Sequence, residues 1–267
     1  MKIVFIGSGN VATHLSMALQ RSGNDIIQVF SKTISNAQTL AKKISGISEN
    51  DCLATNCLSD ICPDADAYIF SIKDDALKDT AISIGNIMDG RNPLFIHTAG
   101  SVPMDVFNGI AKRYGVLYPM QTFSKTRQVD FSSIPCFIEA SDKTTLDIIN
   151  DLASSISSRV EEASSEKRKK MHLAAVFACN LTNHCYRLAE RIVNAEGFDF
   201  NLFQPLIEET ARKVGEMSPR DAQTGPMVRG DKTIMSAQIQ LIPDDLTRQI
   251  YSLMAESIFR DTHEGLK

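Results

Sequence analysis

The sequence predicts a doubly wound, mainly parallel α/β domain followed by an all-α domain. Three observations carry this. A strand-like run, Ile3-Val4-Phe5-Ile6, leads directly into Gly7-Ser8-Gly9-Asn10-Val11-Ala12 and then into a segment of helical spacing. Further short apolar runs alternate with helical stretches up to about residue 160, as in a sheet whose parallel strands are joined by helices. Beyond about residue 160 the strand pattern stops and long helical periodicity takes over.

Ile3–Ile6 is apolar and rich in β-branched residues, as in a strand buried on both faces. Val11, Leu15, Ala18, Leu19 and Ser22 recur at helical spacing, and Gly23 is placed to stop that helix. The G-x-G-x-x-A pattern therefore lies where a strand turns into a helix. There Gly7 permits a tight turn, Gly9 lets the backbone approach a pyrophosphate, and Ala12 lets the helix pack close to the strand. The helix start offers free N–H groups and the positive end of its dipole to phosphates. In this context the pattern reads as a dinucleotide-binding turn, with Gly7, Ser8, Gly9, Asn10 and Val11 as expected contacts.

The second strand, Ile26–Phe30, ends in Ser31-Lys32-Thr33. An acid about 20 residues past the glycines would bind the ribose 2′-hydroxyl of NAD. Two hydroxyls and a cation stand there instead, which suits the 2′-phosphate of NADP. NADP(H) is therefore the expected cofactor, with Ser31, Lys32 and Thr33 as contacts.

Ala37–Ile44 has helical character, and Leu53–Asn56 fits a short strand. Ala67–Ile72 and Pro93–Thr98 read as buried strands, and Val116–Tyr118 and Cys136–Glu139 as two more. Lys73-Asp74-Asp75 opens a helix whose acids suit its positive end. Ligands of such sheets sit at the carboxyl ends of the strands. This adds Ser71, Ile72, Lys73, His97, Thr98 and Ala99 to the expected cofactor contacts. His97 equally fits a side chain hydrogen-bonded within the sheet.

Past the boundary, Ser164-Ser165-Glu166 can cap one helix running to about Glu196, with Gly197 after it. At ~1.5 Å per residue this is a rod of roughly 45 Å. Further helices are expected over Leu202–Met217, Asp231–Leu241 and Asp244–Arg260, with breaks at Ser218–Gly230 and Pro243. The chain thus divides into a nucleotide-binding domain, 1–160, and a helical domain, 161–267. At about 100° per residue, His172, Asn180 and Asn183 share one side of the long helix, with Arg168 and Lys169 near its start. Imidazole donates protons near neutral pH, and cations hold carboxylates. His172 and Asn180 are the expected catalytic residues, and Arg168, Lys169, Asn183 and Arg229 the expected substrate contacts. A solvated basic face at Lys167–Lys170 with a core or capping His172 fits the same spacing. Gly and Pro in Thr224–Asp231 force a fixed turn, and Asp231 can cap the helix after it.

Composition sets the bounds. Of the 267 residues, 43% are hydrophobic and 22% charged, and the net charge is −4, so nothing favours a nucleic-acid partner. No apolar run approaches the ~20 residues of a membrane span, and Ile3–Ile6 is too short for a signal peptide, so a cytoplasmic location is expected. Cys52, Cys57 and Cys62 lack the paired spacing of zinc sites, and no metal is expected.

Across most of its length the chain resembles bacterial Rossmann-like proteins that carry a C-terminal helical domain of unknown function. These are often labelled NADP oxidoreductases. They are relatives of pyrroline-5-carboxylate reductase, the deazaflavin-dependent NADP reductases and the β-hydroxyacid dehydrogenases. The matching pieces are GSGNVA, the Ser-Lys-Thr after the second strand, SIKDDAL at 71–77, HTAGS at 97–101 and YPMQTFS at 118–124. MHLAAVFACN at 171–180 and TGPMVRGD at 224–231 complete the set. The resemblance implies a Rossmann-type first domain binding NADP(H), a substrate cleft between domains, and a homodimer built mainly from helical domains. The chain departs from the β-hydroxyacid dehydrogenases, which place a helix lysine four residues before an asparagine. Val176 stands four residues before Asn180 here, so that lysine has no counterpart and His172 is the nearest candidate acid.

Two readings of function remain open on the sequence. One is an NADPH-dependent reductase of a small carbonyl or imine, bearing a carboxylate. The other is a non-catalytic NADP(H)-binding sensor or regulator. Leu173, Val176, Phe177, Leu181, Leu188, Ile192 and Val193 spread apolar surface around the long helix, and a second copy of the chain would cover it.

Overall fold

The structure is a computed structural model that describes residues 1–47, 50–88 and 90–264; the last three residues of the expected helical domain lie outside it. It divides into two compact units, Met1–Asn180 and Leu181 onward.

The first unit is built on one eight-stranded sheet. Its strands are β1 (Lys2–Ile6), β2 (Asp25–Phe30), β3 (Leu53–Thr55), β4 (Ala67–Phe70), β5 (Leu94–His97), β6 (Arg113–Pro119), β7 (Cys136–Ala140) and β8 (Val160–Glu162). The spatial order is β3-β2-β1-β4-β5-β6-β7-β8. The chain thus runs outward in one direction from β1 through β3, then returns to the centre and runs outward in the other direction. This puts the crevice of a doubly wound sheet at the carboxyl ends of β1 and β4. β7 lies antiparallel to β6 and the other neighbours are parallel. A parallel return needs a crossover, which a helix usually supplies. Between β6 and β7 the chain has only one 3₁₀ turn, Phe131–Ser133, and β7 comes back antiparallel.

The helices α1 (Asn10–Arg21), α2 (Ile34–Ser45) and α4 (Lys143–Ser154) cover one face, burying Leu15, Leu19, Leu40, Ile44, Ile149 and Leu152 against the sheet. α3 (Asp74–Ile87) and the turn Met104–Phe107 cover the other with Leu77, Ala81, Ile84 and Phe107. Central strands β4 and β5 are buried at every position, which matches their unbroken apolar runs.

Two sequence expectations change. Strand pairing does not stop at residue 160: β8 adds to the sheet edge beside β7, and the first unit continues to Asn180. The rod expected from Ser164 to Glu196 is also not one regular α-helix. α5 (Ser165–Ala175) passes into a π-helical segment, Val176–Leu181, and then into α6 (Thr182–Ala195). The N-terminal cap is as expected, with the Ser164 hydroxyl accepting from the Lys167 N–H.

The second unit is helical: α6, α7 (Gln204–Glu216), the short turns α8 (Pro219–Ala222) and α9 (Pro226–Arg229), α10 (Lys232–Gln240) and α11 (Asp245–His263). Asp231 and Asp244 cap α10 and α11 by accepting the N–H groups of Ile234 and Thr247. Among the described residues no helix is long and apolar enough to cross a membrane.

Candidate functional site

A cavity of about 570 Å³ opens at the carboxyl ends of β1, β2, β4 and β5, wholly within the first unit. Its floor is the turn Gly7–Val11. Gly7 has φ +118°, and a Cβ there would run into the carbonyl oxygen of Ser71 beyond β4. Only glycine allows this turn. Gly9 differs. No protein atom lies within 4 Å of where its Cβ would be, so the residue keeps a space open rather than packing against the chain. α1 begins there with no side chain capping it and no acid in its first turn, which leaves its positive end to an anion. Ala12, fully buried, belongs to the apolar cluster that includes Ile3 and Phe5 of β1.

The turn is held to its neighbours. Gly7 N–H donates to the Phe30 carbonyl across 2.8 Å, and Ser8 Oγ donates to Ser31 Oγ across 2.9 Å. Ser31 and Lys32 line the cavity at the end of β2. Thr33 is a correction. It stands at the N-cap position of α2 with no side-chain capping hydrogen bond and is not among the residues that line the cavity, whereas Asn36, in the first turn of α2, is. Nothing in the strand pattern singled out Asn36.

At the other end, Ser71, Ile72 and Lys73 follow β4, and Thr98 and Ala99 follow β5; all five line the cavity. Ser71 Oγ and Thr98 Oγ1 share a hydrogen bond of 2.8 Å that ties the two strand ends together. His97 is a second correction. It is fully buried in β5 and is not part of the cavity wall. Its Nδ1 accepts the Ala99 N–H at 3.2 Å, so it shapes the strand end from behind. Burial, reinforced by the nearby Arg168 charge, pushes its pKa down to about 3, and the ring is neutral at pH 7.

His172 stands beside the same strand end. A Cβ at Gly100, the residue after Ala99, would lie 2.7 Å from His172 Cγ and Nδ1. The ring therefore packs directly on the backbone that follows the cavity wall. Its Nδ1 is 3.0 Å from the Tyr118 hydroxyl at the end of β6, and the two rings meet edge to face. Burial raises the Tyr118 pKa, with the Cys179 thiol adding to the effect and Arg168 opposing it, so the phenol stays neutral. Tyr118 was read as a strand residue and as the start of the matching piece YPMQTFS, and its spacing from His172 along the chain gave no sign of the pairing.

Arg168 is the third correction. Its side chain is completely buried and held by Glu139 Oε2 at 2.5 Å, by the Val102 carbonyl at 2.5 Å and by Ser165 Oγ at 3.2 Å. The guanidinium is used inside the unit and cannot reach a substrate carboxylate. Lys169, its neighbour, is exposed. Asn180 is exposed on the π-helical segment, whose wider turn departs from the uniform 100° assumed for the helix. Asn183, on α6, and Arg229, at the end of α9, are exposed positions of the second unit.

The residues fit a dinucleotide: an open space at Gly9, an uncapped helix start, and hydroxyl, amide and ammonium groups at the end of β2. Comparison with known proteins agrees. Residues 2–94 match a family described as NADP oxidoreductase, coenzyme F420-dependent, and residues 134–258 match the domain of unknown function DUF2520. A solved Bacteroides fragilis protein, described as a candidate NADP oxidoreductase, is 44% identical, with 97% of this chain and 98% of that one covered and a TM-score of 0.89. The Thermotoga maritima protein TM1727 shares the fold at 20% identity, with 98% of both chains covered and a TM-score of 0.71. A pyrroline-5-carboxylate reductase of Coxiella burnetii does so at 16% identity, with 99% of this chain and 98% of that one covered and a TM-score of 0.59. No curated protein matches the chain. Identity of 44% over nearly the full length of both chains places this protein in the NADP oxidoreductase family, and its cofactor is NADP(H).

Proposed function

We propose that this chain is an NADPH-dependent reductase of a small carbonyl or imine compound that carries a carboxylate. The observation that supports this most is the position of His172, packed on Gly100 at the end of the cavity wall and hydrogen-bonded to Tyr118. Bound NADPH supplies a hydride. A carbonyl or imine that has accepted one needs a proton at its oxygen or nitrogen. With Nδ1–H donating to Tyr118 Oη, His172 Nε2 can carry a second proton and release it while the Tyr118 bond stays intact. Asn180 is proposed to orient the reacting oxygen or nitrogen, and exposed Lys169 to hold the carboxylate.

The experiment is a screen of 2-keto acids, ketopantoate among them, and of cyclic imines bearing a carboxylate, with NADPH consumption followed at the nicotinamide absorbance. The fold shared with a pyrroline-5-carboxylate reductase puts the cyclic imines first. Consumption with a member of either class is the expected result. Failure with both, by protein that binds NADPH, overturns the proposed substrate class.

A homodimer through the helical residues belongs to the same proposal. Leu173, Leu181 and Ile192 are exposed on α5, the π-helical segment and α6, Leu202 in the 3₁₀ turn Phe200–Phe203, and Leu206 and Leu253 on α7 and α11. Val193 is buried instead, and Val176 and Leu188 are half-buried. This much exposed aliphatic surface is what a second copy would cover. Sedimentation at micromolar concentration is expected to give a dimer; a monomer removes it. The cytoplasm, where the chain's six cysteines stay reduced, is the proposed location.

A further inference from the structure

Sequence reading placed every cofactor contact before residue 100. The cavity has one more wall. Lys125, in the long connection between β6 and β7, lines it together with Gly7–Val11. The connection is fastened to the first turns of α1 next to Lys125. Asn10 Nδ2 donates to the Phe123 carbonyl across 2.8 Å, and His14 Nε2 meets the Ser124 carbonyl at 2.9 Å. The His14 ring also stacks on Phe123, with centroids 5.1 Å apart. Phe123 itself is buried in the core and packs on Phe131. The backbone ahead of Lys125 is thus pinned on both sides, while its ammonium group, exposed, pairs with no acid among the described residues.

We infer that Lys125 is a cofactor-binding residue that neutralises the pyrophosphate of the dinucleotide at the start of α1. This rests on the reading of the cavity as the NADP(H) site. The physical need is plain. A pyrophosphate brings two negative charges to a helix start whose own positive end amounts to about half a charge. No acid in the first turn of α1 competes for the cation. Lys32 stands at the end of β2, where the 2′-phosphate belongs, and Lys73 follows β4. Lys125 is the cation that comes from a segment tied to the helix that receives the phosphates. A lysine suits the task as a compact point charge on a flexible stem.

The two cation roles separate by ligand. NADPH and NADH share the pyrophosphate and differ in the 2′-phosphate, and adenosine 2′-monophosphate has the 2′-phosphate without the pyrophosphate. Fluorescence titration of the whole protein with NADPH and NADH, and competition with adenosine 2′-monophosphate, give the three affinities. Lys125→Met is expected to weaken NADPH and NADH by the same factor, about tenfold, the size of one charge-assisted contact. It should leave adenosine 2′-monophosphate unchanged. Lys125→Arg should stay close to wild type, and higher salt should narrow the gap between Met and wild type. Lys32→Asp should weaken NADPH and adenosine 2′-monophosphate and spare NADH. Unchanged dinucleotide affinities in Lys125→Met, or a loss confined to NADPH, overturn the assignment. Wild-type protein that binds neither dinucleotide overturns the cavity reading itself, and this inference with it.

Discussion

Arg168 and Glu139 form a buried ion pair, 2.5 Å between Nη1 and Oε2, that fastens the first turn of α5 to strand β7. Glu139 Oε1 also accepts the Ser165 N–H at 2.8 Å, and its Oε2 accepts the Ser165 hydroxyl at 2.7 Å. The Arg168 guanidinium bonds the Val102 carbonyl too, so three separate segments meet at one side chain. His172 lies one helical turn further along α5, and its place beside Gly100 depends on this fastening.

Removing one partner leaves the other charge buried, which costs about 3–5 kcal/mol. Arg168→Met is expected to lower unfolding free energy by that order in urea titration. Arg168→Met combined with Glu139→Gln should be less damaging than Arg168→Met alone, because the unpaired carboxylate is gone. A single variant as stable as wild type would show the pair to be dispensable.

The two glycines of the turn predict opposite phenotypes. Gly7→Ala forces a Cβ onto the Ser71 carbonyl at a φ of +118°, so the folded protein should lose stability outright. Gly9→Ala meets no protein atom within 4 Å, so its thermal midpoint should match wild type while NADPH affinity falls at least about tenfold. Retained affinity in a well-folded Gly9→Ala protein would remove the pyrophosphate from that space.

For the proton donor, His172→Ala should cut turnover by about 10²–10⁴-fold once a substrate is in hand, with NADPH affinity nearly unchanged. Tyr118→Phe removes the hydroxyl 3.0 Å from Nδ1 but keeps the ring. It should lower kcat less than His172→Ala does and move the pH dependence of kcat/KM, because the imidazole loses its partner. A Tyr118→Phe profile that overlays wild type would separate the tyrosine from the reaction.

Stability should fall in acid through His97. Its pKa is about 3 in the fold against the ordinary 6.5 of a histidine, so between those limits the unfolded chain binds a proton that the folded chain does not. The histidine's contribution is complete above about pH 6.5 and is lost as pH falls toward 3. The slope is on the order of 1 kcal/mol per pH unit. Urea midpoints measured from pH 7 to pH 4 should drop more steeply for wild type than for His97→Gln. Parallel curves would mean that His97 does not titrate between the two states.

Much of the first unit was legible because its signals are local. An apolar run, a glycine turn and a helix-spaced stretch adjoin one another from Ile3 to Gly23, and each reports burial through its own period. The strands ending at Phe30, Phe70 and His97 showed themselves the same way, and so did the residues just after them that face the cavity. The capping Asp231 was readable because a cap acts within three residues, and the helix expected from Asp244 starts there, with Asp244 as its cap.

By itself, then, the sequence determined the doubly wound sheet, the dinucleotide turn, the family resemblance and the helical character of the second half. The tertiary structure decided which polar groups meet. Tyr118 and His172 are 54 positions apart, and Asn10 and Phe123 are 113. No periodicity relates such pairs, because period reports which face of an element is covered and not what covers it. Arg168 shows the same limit most sharply. In the run Lys167-Arg168-Lys169-Lys170 the spacing fitted Arg168 to a substrate contact or to a solvated face, yet the fold buries it and leaves the other three exposed. The carboxylate of Glu139, brought there by β7 packing beside β6, supplies the opposite charge that this burial needs, and the Val102 carbonyl and Ser165 hydroxyl accept further hydrogen bonds.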